Sequence, residues 1–67
     1  MPYVNVKVAG PLTTEQRSEL AKRISLALEE VAGKPAAHTY IVFDEVPREK
    51  WAVGAEILAE RDKKSRS

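Results

Sequence analysis

Pro2 follows the initiator methionine, and where Met1 is removed its nitrogen becomes a secondary amine able to take up a proton. By position alone a plainer role fits better, since a proline that opens an edge strand loses nothing by lacking an N–H. The other chemistry-bearing side chains are sparse. Asp44 and Glu45 are neighbours in an extended stretch and point to opposite faces, so they do not form an acid–base pair. There is no cysteine, and a single histidine, His38, cannot assemble a zinc site, so no metal is expected. Lys7 shares a strand face with Tyr3 and Asn5, but alternation puts it there whether or not it has a function. The basic run from Arg61 to Arg66 is interrupted by Asp62 and reads as a solvated tail rather than a nucleic-acid site.

The elements that position these residues belong to one small domain spanning 1–67, with no repeat, linker or second domain. A chain of 67 residues buries too little surface to be comfortably stable alone. Without disulfides or a structural metal, oligomerisation is the remaining supplement. A formal charge of +1 implies neither nucleic acid nor an anionic membrane as partner. No apolar run approaches a membrane span, and the N-terminal stretch alternates instead of forming a signal-peptide core, so the expected location is cytoplasmic.

Tyr3 to Val8 alternates, with Val4, Val6 and Val8 on one face, and is expected to be a strand. Thr13 and Gln16 make a capping box that starts a helix after Gly10 and Pro11. Leu20, Ile24, Ala27, Leu28 and Val31 recur at helical spacing, and Gly33 and Pro35 end that helix near Ala32. Thr39 to Val46 reads as a second strand, apolar on both faces, with Ile41 and Phe43 on one and Tyr40, Val42 and Val46 on the other. Strand, helix and strand at this spacing make a βαβ unit with a parallel two-stranded sheet, an α+β fold whose open face another subunit must bury. Trp51 to Leu58 is expected to form a hairpin or strand that adds to a neighbour, and residues 60–67 a flexible charged tail.

The opening Met-Pro-Tyr-Val-Asn-Val, the βαβ body, the Asp44-Glu45-Val46 strand end and the following Trp51-Ala52-Val53-Gly54 together resemble the 4-oxalocrotonate tautomerase family, from Pro2 to about Leu58. The resemblance implies a β-α-β subunit, assembled as a homohexamer in the short members. It also implies that the mature N-terminal proline is a general base that shuttles a proton between carbons of an enolisable oxo acid, an enol–keto transfer on a small 2-hydroxyalkenoate, with no metal or organic cofactor. Pro2 matches that proline. The chemistry is physically sound, because an apolar site disfavours the protonated amine and lowers its pKa toward working pH. Met1 must be removed, since an acylated proline nitrogen is an amide without a basic lone pair. Trp51 matches the family's pocket aromatic, against the plainer reading of an interface tryptophan.

Departures from the pattern bear on substrate. The resemblance places an arginine just before the helix and another on the second strand, and this chain has Leu12 and Tyr40 there. These two, with Trp51, are the candidate substrate-binding residues; Tyr40 can donate an uncharged hydrogen bond to a carbonyl or enolate oxygen. Arg17, His38, Arg48 and Arg61 are other possible sources of positive charge, each better read as a surface residue. The expected activity is that of a tautomerase. The alternatives are a non-catalytic oligomeric module of the same fold, or a hydratase- or dehalogenase-like activity, for which no acid matches the water-activating role.

Overall fold

A computed structural model of the chain describes residues 2–66, with side chains as far as Lys63. The expectations about Met1 removal and about Ser67 lie outside these residues. Strand β1 (Tyr3–Ala9) leads through Gly10–Thr13 into helix α1 (Thr14–Ala32); a 3-10 turn (Ala36–His38) then precedes strand β2 (Tyr40–Val46). A second 3-10 turn (Arg48–Lys50) leads to strands β3 (Ala52–Val53) and β4 (Glu56–Ile57) and to helix α2 (Leu58–Arg66). β1 and β2 pair in parallel, Tyr3 opposite Tyr40 and Ala9 opposite Val46, and β3 and β4 pair as an antiparallel hairpin. This is the expected βαβ unit with a C-terminal hairpin.

Local chemistry accounts for the element ends. Gln16 N–H donates to Thr13 Oγ1 at 3.0 Å while Thr13 N–H donates to Gln16 Oε1 at 2.9 Å, closing the capping box. At the other end Gly33 turns left-handed at φ 67°, donating to the Glu29 carbonyl at 3.0 Å, and Lys34 N–H reaches the Leu28 carbonyl at 3.3 Å. The β3–β4 connection is a two-residue turn in which Gly54 takes φ 63°, a conformation costly for residues with a Cβ. Gly10 extends the ladder by donating to the Val46 carbonyl at 3.1 Å, and a Cβ there would stand 3.2 Å from that of Glu45. Only glycine passes this crossing without displacing Glu45.

Val4, Val6 and Val8 on β1 and Ile41 and Phe43 on β2 are half-buried, as is the α1 stripe Arg17, Leu20, Ala21, Ile24, Ser25 and Leu28. Val31, read as part of that stripe, is 88% exposed, and Ala27 is exposed as well. A helix of 19 residues is about 28 Å long and a strand of seven about 23 Å, so α1 is longer than the sheet it lies against. The charged stretch expected as a tail is helical over Leu58–Arg66. Its glutamate, arginine and lysine residues favour helix, and Asp62 is tied back to Arg48.

The radius of gyration is 15.5 Å, against about 11 Å for a compact chain of this length, and the molecule measures 46 × 23 × 16 Å. Among the described residues Gly10 alone is buried, and no hydrophobic side chain is. The sheet face away from α1 carries Tyr3 at 64% and Tyr40 at 58% exposure, with Val42 also exposed. Among the described residues no helix is long and apolar enough to cross a membrane.

Candidate active site

β1 and β2 bring two of the four candidate residues together. Tyr40 N–H donates to the Pro2 carbonyl at 2.9 Å, one residue beyond the Tyr3–Tyr40 pair, so the ladder holds Pro2 at the mouth of the sheet beside the start of β2. Leu12 lies beyond the opposite end of β1, about 23 Å of strand away. Trp51 follows the turn after Val46, again past the far end. Within one chain, then, Pro2 with Tyr40 and Leu12 with Trp51 stand at opposite ends of the sheet. A parallel pair of strands puts both N-terminal ends on one side, and this separation follows from that topology.

The Leu12 end is built around Glu45. Its Oε1 accepts the Leu12 N–H at 2.8 Å and its Oε2 the Arg17 Nη1 at 2.8 Å; the same Nη1 donates to the Leu12 carbonyl at 2.8 Å. Glu45 and Arg17 thus grip the backbone of Leu12 from both sides, and the Leu12 side chain shares a shallow groove with Gln16, Glu19, Leu20 and Arg23. The Leu12 N–H holds the Glu45 carboxyl below the usual carboxylate range, Arg17 adds to this, and partial desolvation opposes it. Asp44 and Glu45 point to opposite faces, as strand alternation predicts: Asp44 pairs with Lys7, its register partner, at 3.2 Å. Glu45's part in holding Leu12 required the loop geometry to be seen.

Because the folded-state pKa of Glu45 is depressed, its contribution is present above the ordinary glutamate pKa of about 4.3 and is lost as pH falls through the lowered folded value. The Tm of the protein should therefore fall between neutral pH and pH below 4 more steeply than that of Glu45→Gln, which should be the less stable of the two at pH 7. Parallel Tm–pH curves for the two proteins would contradict this account.

The other cations read as possible substrate contacts are largely committed. Arg48 makes a two-pronged bond to Asp62, with Nη2 to Oδ1 at 2.8 Å and Nε to Oδ2, which holds the guanidinium above its ordinary pKa. Arg61 pairs with Glu56 at 3.3 Å; Arg23, outside that set, pairs with Glu19 at 2.8 Å. His38 ends the 3-10 turn before β2 and is exposed, two residues from Tyr40. Among the described residues no group of His, Cys, Asp and Glu is arranged to hold a metal ion.

The β-α-β unit with its parallel two-stranded sheet is shared with solved 4-oxalocrotonate tautomerase homologues. The sequence model for tautomerase enzymes matches residues 2–61, and the chain belongs to the tautomerase family. It is 34% identical over 62 residues to probable tautomerase K2 of Dickeya dadantii (strain 3937), covering 91% of this chain and 92% of that one. It is 30% identical over 53 residues to the 2-hydroxymuconate tautomerase of Pseudomonas putida, covering 79% and 84%. A solved structure described as a heterohexamer 4-oxalocrotonate tautomerase from Chloroflexus aurantiacus J-10-fl is 32% identical. It superposes with a TM-score of 0.81 over 90% of this chain and 97% of that one.

Proposed function

We propose that this chain is a cofactor-independent tautomerase that interconverts the enol and keto forms of a small 2-hydroxyalkenoate, with Pro2 as the proton carrier once Met1 is gone. The neutral proline nitrogen takes the enol hydroxyl proton, the C–O bond becomes a carbonyl, and the displaced C=C electron pair accepts a proton at carbon from the prolinium. The base is thereby restored and no atom is gained or lost. The Tyr40 phenol is assigned the donor role at the developing oxygen, and Trp51 and Leu12 line the pocket. The observation that supports this reading is the Tyr40 N–H to Pro2 carbonyl bond at 2.9 Å, in a chain whose family match begins at residue 2. Intact-mass measurement of the N-terminus paired with a tautomerase assay on phenylenolpyruvate tests it; a sample starting at Pro2 that does not accelerate ketonisation refutes it.

The active form is proposed to be a homohexamer, because Leu12 and Trp51 can reach a Pro2 only on another subunit and because the open sheet face presents Tyr3, Tyr40 and Val42 to solvent in the single chain. The heterohexameric relative supports the same size of assembly. Light scattering should report the hexamer at micromolar concentration; a folded 7.5 kDa monomer would remove the basis for a shared site. One observation favours the alternative of a non-catalytic module: Arg17, Arg23, Arg48 and Arg61 are all engaged by carboxylates of their own chain. The phenylenolpyruvate assay separates the two readings.

A further inference from the structure

The segment between β2 and α2 is closed on itself around Trp51, the one tryptophan of the chain. Trp51 N–H lies 3.4 Å from the Arg48 carbonyl, and the Trp51 carbonyl accepts the N–H of Leu58, the first residue of α2, at 2.8 Å. Fourteen residues after Arg48, Asp62 returns on the first turns of α2 and takes the Arg48 guanidinium in a fork. The backbone bonds hold Trp51 between the 3-10 turn and α2, and the guanidinium–carboxylate fork fixes turn and helix relative to each other. A planar fork constrains orientation as well as distance, which a single-point lysine contact does not.

We propose that Arg48 and Asp62 are positioning residues: their pair is a latch that sets the Trp51 ring as the wall accepting the aryl group of a substrate. The catalytic half of this rests on the function proposed above. Opening the latch frees α2 to shift, and the indole moves with its backbone; a substrate that lays a ring against it loses that contact, whereas one without a ring loses little. The pair therefore acts on substrate choice, through KM, and not on proton transfer at Pro2.

The test compares the full-length protein, Asp62→Asn, Arg48→Ala, the exchanged pair Arg48→Asp with Asp62→Arg, and Glu30→Ala as a control at an exposed position of α1. Trp51 emission should move to longer wavelength in both single variants and return in the exchanged pair, at unchanged helical content and assembly size. KM for phenylenolpyruvate should rise roughly fivefold, the scale of one lost aromatic contact. KM for an open-chain 2-hydroxydienoate bearing one carboxylate, and kcat for both substrates, should stay near the parent values. Unchanged emission and KM in Asp62→Asn overturn the latch, and an equal rise in KM for both substrates overturns its positioning role. If protein starting at Pro2 shows no tautomerase activity at all, the proposed function fails separately. The emission arm then decides the latch: a red shift reversed by the exchanged pair upholds it, and no shift overturns it.

Discussion

Protein that begins at Pro2 should convert phenylenolpyruvate to its keto form, and material that keeps Met1 should be slower by at least about a hundredfold, the lower end of what a positioned general base contributes. The physical reason is local. In the processed chain the proline nitrogen is a secondary amine with a free lone pair; with Met1 attached the same nitrogen belongs to an amide whose lone pair is delocalised into the carbonyl. The effect needs no change in fold, since the β1–β2 ladder contacts Pro2 through its carbonyl, which both forms possess. Pro2→Ala in processed protein should lose most of the rate but less than Met1 retention does, because a primary amine of different basicity and geometry remains. Equal rates for processed and Met1-bearing samples, with the N-terminus checked by mass, would exclude the terminal amine as proton carrier.

2-Hydroxymuconate, with two carboxylates, should be turned over poorly compared with phenylenolpyruvate, which carries one carboxylate and a ring. A carboxylate entering a partly dry pocket needs a charge-assisted donor, and lacking one costs about 1.5–3 kcal/mol, or roughly ten- to a hundredfold in binding. Leu12 has no such donor and Tyr40 offers only a neutral hydroxyl. The arginines elsewhere do not compensate within the chain: Arg17 is held by Glu45 and the Leu12 carbonyl, and Arg48 by Asp62. Tyr40→Arg should lower the KM for 2-hydroxymuconate by about tenfold or more and that for phenylenolpyruvate much less. Leu12→Arg should act in the same direction, since the acid lining its groove, Glu19, is already paired with Arg23 at 2.8 Å and Glu45 beside its backbone with Arg17 at 2.8 Å. Efficient turnover of 2-hydroxymuconate by the unaltered protein would mean that a cation of a neighbouring subunit fills the place, and would overturn this reading of the two substitutions.

Elements set by near neighbours were legible in the residue order. The alternation of Val4, Val6 and Val8, the Thr13–Gln16 box and the left-handed Gly33 each express an interaction spanning at most a turn of backbone, and each stands where the sequence puts it. The limits of that legibility appear where length and long-range pairing decide. Val31 has the right helical phase but is 88% exposed, on a helix longer than the sheet it lies against. The charged stretch after Leu58 looks like a tail until Asp62 finds Arg48 and the Trp51 carbonyl receives Leu58 N–H, contacts that only the folded turn brings within reach.

The candidate site divides in the same way. The identities of Pro2, Leu12, Tyr40 and Trp51, and with them the chemistry available, belong to the sequence alone. Which of them meet was decided by tertiary structure: parallel pairing sets Pro2 beside Tyr40 and sends Leu12 and Trp51 to the other end of the sheet, and Glu45 and Arg17 then clasp the Leu12 backbone. Side-chain type is a property of one position, whereas proximity across the sheet depends on strand direction and register, which no single position carries.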